Sequence, residues 1–444
     1  MTNIQVEDLS TVKKKITFEV PEDKVLDVID AEYRDLRKTV QIKGFRKGKV
    51  PLNILRSYFK GKVEADAARK IIEETFEPGL DEKNIKPVAV ISIDPEGVET
   101  GKPFKYTAQI EVTPPLDIQG YKGVRLNKQI PQVTDDDVNK RIENLREINA
   151  KLVPITETRG VRQGDYLLVD IEATADGEKI PALSVKDYHV ELGRNFYLPD
   201  FDSKLEGMKP EETRQIVMEF QEDFSRKNLS GKTGTFTVTC REAKERVLPE
   251  LDDDFAKDLG SFENLDELRD RVTKELQDIA TDEAQRGTKN QIIDQLIEKN
   301  PFEVPDSMVD SEIDRVLNQL IEEYVAQGID RNRLPVPSPA QRDRIRPGAT
   351  RAAKARLIMD AIVSQEGIEI SDEELQAGIE RRVQELGVSS DHLRDELVEH
   401  NMLEVFRDGL KDEKVYQLIE EHAEITEEET RKETENTQVS KPDE

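Results

Sequence analysis

A chain of 444 residues with 94 acids against 66 bases carries a formal net charge of −28, a body that phosphate repels. Its length suggests about three domains, and its balance of 36% charged to 36% apolar residues, with 5% aromatics and no Trp, suits folded domains with thin cores. No run is apolar enough for long enough to span a bilayer, Met1–Ser10 holds acids rather than a signal-peptide core, and the single Cys240 rules out an intrachain disulfide framework. A reducing cytoplasm is the expected compartment.

Lys13–Val20 alternates as a strand, and Pro21 with Glu22 and Asp23 opens a helix on the spacing Val25, Ile29, Tyr33, Leu36. From Leu36 to Val63 the chain then holds nine Lys or Arg and no Asp or Glu. At the centre of that stretch stands Gly44-Phe45-Arg46-Lys47-Gly48-Lys49-Val50-Pro51. Its two glycines free the backbone for a tight reversal, and Pro51 suits the first turn of a helix leading out through Ile54, Leu55 and Tyr58. The octapeptide is therefore expected at the tip of a helical hairpin, offering cations for phosphate and the Phe45 ring for stacking or apolar docking. A solvated basic loop without a partner is the plainer alternative. A nucleotide-binding loop does not fit, because Gly44 and Gly48-Lys49 stand one spacer too close and Val50 occupies the place of a magnesium-reaching Ser or Thr.

Val63–Phe76 reads as helix, and Pro87–Ile93 and Phe104–Val112 as strands, before Pro114-Pro115 closes an α+β unit. The following segment contains a polar helix capped by Thr134, with Val138, Ile142, Leu145 and Ile148 at helical spacing, and reads as a connecting arm. From Gly160 the period becomes two: strands at Tyr166–Ala173, Thr213–Phe220 and Gly234–Ala243, a turn at Asp176-Gly177, and a short helix running toward Gly207-Met208. Cys240 lies in a β-type run and is expected to be a buried structural thiol rather than a nucleophile. After Leu248 the chain turns helical, at Leu265–Lys299, from Pro305 through Ile321, and at Ala349–Gln365, Ser371–Leu386 and Leu403–His422. Ser371 and Glu374 form a capping box, Gly328–Pro339 is a Pro-rich loop, and the charged residues beyond Ile425 read as a disordered tail. Isolated apolar residues on such charged helices suit wet arms that grip unfolded segments weakly. The four His show no metal spacing, and neither a metal nor a cofactor is expected.

The octapeptide resembles the ribosome-docking signature of the trigger factor family, bacterial chaperones that meet nascent chains at the exit tunnel. The middle of the chain resembles an FKBP-type peptidyl-prolyl isomerase, on Leu192-Gly193, on Leu198-Pro199-Asp200-Phe201 and on the run from Lys204 to Glu212. Together they imply an α+β multidomain protein. Its parts are an N-terminal α+β domain with a projecting helical hairpin (1–115), a connecting arm (116–155), an FKBP-like antiparallel sheet with a short helix (156–246), an all-α C-terminal domain with arms (247–426) and a disordered tail (427–444).

The function so implied is an ATP-independent chaperone. It docks on protein and rRNA near the exit tunnel through Gly44, Phe45, Arg46, Lys47, Gly48, Lys49 and Pro51, holds nascent and unfolded chains, and isomerises X-Pro bonds. No membrane partner is implied, and a homodimer is allowed off the ribosome. Carried over residue by residue, the apolar pocket takes Leu198, Phe201, Phe224 and Phe236. Ile171 and Ile180 stand where the isomerase family has aromatics, Pro181 where an acidic side chain is common, and Asp200 where Gly is expected. Two readings of this domain stay open, a modest isomerase and a substrate-gripping domain with a vestigial pocket. Rivals for the whole chain are a ribosome-independent prolyl isomerase, an RNA-binding regulator, which the acidic body serves poorly, and a periplasmic chaperone.

Overall fold

The computed structural model describes residues 2–156, 159–175, 178–194, 200–220, 231–386, 389–400 and 402–430. Two compact units emerge, one built on Met1–Lys128 with Arg286–Glu427 and one on Gln129–Gln285.

The first unit begins with β1 (Asn3–Asp8), β2 (Lys13–Val20), α1 (Glu22–Thr39), α2 (Leu52–Glu82), β3 (Pro87–Pro95) and β4 (Phe104–Val112). The strands make an antiparallel sheet in the order β1-β2-β4-β3. Alternation on β2 puts Ile16, Phe18 and Val20 on the core face, where Phe18 stacks on Tyr106 at 4.5 Å. Helix α2 approaches that face so closely that a Cβ on Gly79 would sit 2.5 Å from the Phe18 ring, which explains the glycine beside Pro78. Helix α1 buries Val25, Val28, Ile29 and Tyr33 along one stripe, with Glu22 and Asp23 in its first turn and Arg37 and Lys38 in its last, complementing the dipole. The two helices expected after the tip are one run kinked at Phe59 (φ −125°, ψ 16°). Strand β1 has no counterpart in the sequence reading. Only Ile4 of its residues is buried, so it shows no alternation of its own and owes its form to pairing along β2.

The middle of the chain supplies β5 (Arg125–Pro131), α3 (Asp135–Ile148), β6 (Lys151–Pro154), β7 (Tyr166–Ala175), β8 (Glu178–Lys179), β9 (Val185–Glu191), α4 (Phe201–Leu205), β10 (Thr213–Glu219) and β11 (Thr233–Val247). Strands β10-β11-β7-β8 form the sheet, with β9 also on β7 and β6 on β11, all antiparallel. The expected cap at Thr134 forms: its hydroxyl accepts from the Asp137 N–H while the Asp137 carboxylate accepts from the Thr134 N–H. Helix α3 is not a free arm, because Val138 and Ile142 pack on Phe255 and Ala256 of α5 (Asp253–Leu259) and on Leu268 and Val272 of α6 (Leu265–Lys299). The expected Asp176-Gly177 turn lies outside the described residues.

The first unit is completed by α7 (Asp306–Ala326), α8 (Pro339–Glu366), α9 (Asp372–Leu386), α10 (Ser390–Glu399), α11 (Leu403–Glu421) and β12 (Glu424–Thr430). Helix α8 starts at Pro339, well before the expected Ala349, because Ser338 and Gln341 form a capping box inside what reads as a loop. The box at Ser371 and Glu374 is present as expected. Ile292, Ile293 and Leu296 meet Ile358, Ile362, Val415 and Ile419 in one core, and the expected connecting arm contributes Ile118, Val124 and Leu126 to it. The C-terminal region is helical as expected and ends in one strand that the sequence reading did not foresee: β12 pairs with β5, and Arg125 meets Glu424 at 3.0 Å, so the chain is ordered past Ile425 through Thr430. A backbone ladder needs no apolar face, and so the composition gave no warning of it. Glu111 of β4, 2% exposed, accepts from the Ser307 N–H at 2.8 Å and ties the N-terminal sheet to the start of α7.

Candidate functional site

The first candidate is the turn between α1 and α2. The Phe45 N–H donates to the Ile42 carbonyl at 3.0 Å and the Lys49 N–H to the Arg46 carbonyl at 2.9 Å, so two four-residue turns follow one another. Gly44 (φ +95°) and Gly48 (φ +80°) occupy the third position of each, where a left-handed backbone is required. A Cβ would meet nothing within 4 Å at either place, so backbone conformation and not space selects glycine. Val50 is fully buried and anchors the loop in the N-terminal core, while Pro51 caps α2 one residue ahead of the helix rather than within it.

The remaining residues of the octapeptide face water. Phe45 is 39% exposed, and Arg46, Lys47 and Lys49 are exposed beside it. Among the described residues Lys43, Arg46, Lys47 and Lys49 have no carboxylate partner. Further down the hairpin some cations are engaged: Arg56 meets Asp30 at 3.3 Å and lies over the Tyr33 ring, and Lys38 meets Asp35 at 2.7 Å. The loop thus presents uncompensated positive charge around an apolar ring. Leu52 and Tyr58 on α2 are also exposed, 43% and 72%; Tyr58 does not join Ile54 and Leu55 on the core face as the spacing suggests, because Phe59 packs there instead.

The second candidate is the core of the FKBP-like sheet. Cross-strand register pairs Ile171 with Val238, Ala173 with Phe236, and Phe236 with Ile216, which puts all five on one face. Phe201 comes from α4 and meets Phe236 edge-on at 5.6 Å. Phe220, not singled out from the sequence, meets Phe236 from the other side at 6.1 Å. Phe201 and Phe236 are 0% exposed and Ile171 1%, so these side chains are sealed. Ile180 is half-buried at the edge, its N–H donating to the Ala173 carbonyl, and Pro181 starts a short 3₁₀ turn. Leu198 and Phe224 lie outside the described residues. Asp200 has φ +59°, the left-handed backbone that a glycine would adopt freely at that position.

Nearby polar groups are structural. Burial, with the Glu212 carboxylate second, pushes the Cys240 thiol up to about 11, as suits a buried thiol that is no nucleophile. Burial and then a hydrogen bond to Glu191 raise Tyr166. Arg159 binds Asp165 with both guanidinium nitrogens, at 2.7 and 3.1 Å, and bridges to Glu245. Among the described residues no group of His, Cys, Asp or Glu could hold a metal ion, and no helix is long and apolar enough to cross a membrane.

Family comparisons cover nearly the whole chain. Residues 2–145 match the family described as bacterial trigger factor protein, 264–437 its C-terminus, and 157–240 the FKBP-type peptidyl-prolyl cis-trans isomerases. Trigger factor of Syntrophus aciditrophicus is 33% identical over 84% of this chain and 84% of its own. That of Geobacter metallireducens is 31% identical over 95% of this chain and 98% of its own. A solved trigger factor chaperone, described for promiscuous substrate recognition in folding and assembly activities, aligns over 94% of this chain and 98% of that one at 22% identity and a TM-score of 0.47. The chain belongs to the trigger factor family of chaperones and carries an FKBP-type isomerase domain.

Proposed function

We propose that this chaperone docks at the ribosome through Gly44–Pro51, holds nascent and unfolded chains without nucleotide, and isomerises X-Pro bonds around Phe201 and Phe236. The observation that carries the docking is the tip itself: an exposed Phe45 among cations that lack carboxylate partners among the described residues, on a chain of net charge −28. An anionic particle is the partner such a surface fits, and an acidic body repelled by the same particle turns the tip toward it. The cytoplasm is the compartment that goes with this reading. Holding falls to apolar groups left in water on α7 and the loop after it, among them Leu320, Tyr324 and Val336, the last 90% exposed. No nucleotide motif occurs in the sequence, so release comes from weak, fast binding.

For isomerisation, an apolar surface strips water from the carbonyl of an X-Pro bond and favours the twisted amide, lowering a barrier of about 18–20 kcal/mol. A second reading, a domain that grips substrate without turnover, is favoured by one observation: Phe201, Phe236 and Ile171 are all sealed. An X-Pro peptide assay on the wild type separates the two, turnover above background supporting the isomerase. The docking test replaces Phe45, Arg46 and Lys47 together with Ala and pellets the variant with ribosomes at low and high salt. Loss of co-sedimentation with an unchanged circular dichroism spectrum is expected. Unchanged pelleting overturns the docking.

A further inference from the structure

The tip does not exhaust the basic hairpin. Tyr58, on the second turn of α2, is 72% exposed, the most exposed aromatic among the described residues. Its neighbour Phe59 turns inward and packs on the N-terminal core, so the core has no use for Tyr58. The Tyr58 hydroxyl has no hydrogen-bond partner among the described residues. Its sequence neighbours Lys60 and Lys62 lie in the acid-free run that ends at Val63, Lys62 one helical turn further on, while Arg56 is held by Asp30 and the Tyr33 ring. Lys60 reaches Glu64 only at 3.8 Å, and Lys62 has no carboxylate partner among the described residues.

A single exposed ring is ordinary on a protein surface, so what marks Tyr58 is its place in the acid-free basic run of the hairpin. A protein surface would present a few carboxylates at particular places. A polynucleotide presents evenly spaced phosphates together with flat bases. The hairpin carries cations along its length and, besides Phe45 at the tip, a bare ring on α2, a pairing that suits an unstacked base.

We propose that Tyr58 stacks on an unpaired base of ribosomal RNA, with Lys60 and Lys62 neutralising the phosphates on either side. This contact lies outside the octapeptide and rests on the reading of the tip as the docking element. It gives the hairpin two attachments of different chemistry, a cation-rich loop and an aromatic platform on the α2 flank.

The experiment uses the full-length chain and purified large ribosomal subunits, comparing wild type, Tyr58→Ala, Tyr58→Phe, Lys60→Ala with Lys62→Ala, and the triple alanine variant of the tip. Stacking predicts that Tyr58→Ala weakens binding roughly 5- to 150-fold while Tyr58→Phe stays near wild type. Tyr58→Ala leaves the dependence of log affinity on log salt unchanged, whereas the double lysine variant lowers that slope by about 1.4. A photoreactive phenylalanine at position 58 crosslinks to RNA. Wild-type affinity in Tyr58→Ala, while the triple tip variant fails to bind, overturns this proposal and leaves the docking standing. Crosslinks to ribosomal protein alone also overturn it. Wild-type binding by the triple tip variant is the separate failure of the docking itself.

Discussion

The basic tip and the isomerase-like core are both built around phenylalanine, in opposite ways. Phe45 stands 39% exposed in a loop whose shape follows from two glycines and two backbone hydrogen bonds within eight residues. Phe201 and Phe236 are fully buried and meet because α4 and β11 are brought together across a sheet. A surface made of consecutive residues keeps its chemistry on display in the sequence. A surface made of residues from β7, β10, β11 and α4 exists only once the sheet has closed. The exposed side chains of the tip are therefore expected to tolerate change without loss of stability, and the buried ones of the core are not.

The sharpest way to break that contrast is to truncate a phenylalanine in each place. Phe201→Ala should cost the middle domain about 3–5 kcal/mol, read as an early transition on chemical denaturation, and should abolish X-Pro turnover. Phe201→Leu should cost less than about 1.5 kcal/mol and separates packing from catalysis, because turnover lost in a stable Leu variant assigns the ring itself to the pocket. The triple alanine variant of the tip should stay within about 0.5 kcal/mol of wild type. A destabilised tip variant, or a Phe201→Ala domain as stable as wild type, would erase the distinction.

A subtler test lies at Asp200, next to Phe201 and at φ +59°. Asp200→Ala should destabilise the same domain by about 1 kcal/mol, because a Cβ without a short polar group is disfavoured there, while Asp200→Gly should be close to neutral. Equal stability of the three would mean that the positive φ is not held in solution.

The smallest effect belongs to a third environment, the helices of the C-terminal region. Burial first, then the carboxylates of Asp360 and Asp408, push Asp412 from 3.8 up to about 6. A raised acid binds its proton more tightly in the folded chain than in the unfolded one. Stability therefore falls as pH rises from 3.8 through about 6 and is level above that. Asp412→Asn should recover on the order of 0.5 kcal/mol at pH 7, discounted for partial exposure, and nothing at pH 3.5. Melting temperatures across that range check it, and a variant that tracks wild type at every pH rules out the strained carboxylate.

Much of the fold was legible because its signals are local. The stripe of Val25, Ile29 and Tyr33, the alternation of Lys13–Val20, and the caps at Thr134 and Ser371 each depend on residues within one or two turns, and all stand where the sequence puts them. The tip was legible for the same reason, with Gly44 and Gly48 announcing positive φ. The core of the middle domain was legible in part. Phe201, Phe236 and Ile171 come together, Phe220 joins them unannounced, and their complete burial follows from the packing of strands.

What the amino-acid order determined by itself is the exposed chemistry of the hairpin, the helix periods and caps, and the run of strands in the middle. Tertiary structure alone decided that Asn3–Asp8 becomes a strand on β2, that Ile118, Val124 and Leu126 enter a core with helices from the far end of the chain, and that Glu424–Thr430 pairs with β5. It also decided that Glu111 is buried against the Ser307 N–H. In each case the stabilising partner is remote in sequence or the bond is made by backbone atoms common to every residue, so neither propensity nor periodicity carries a trace of it.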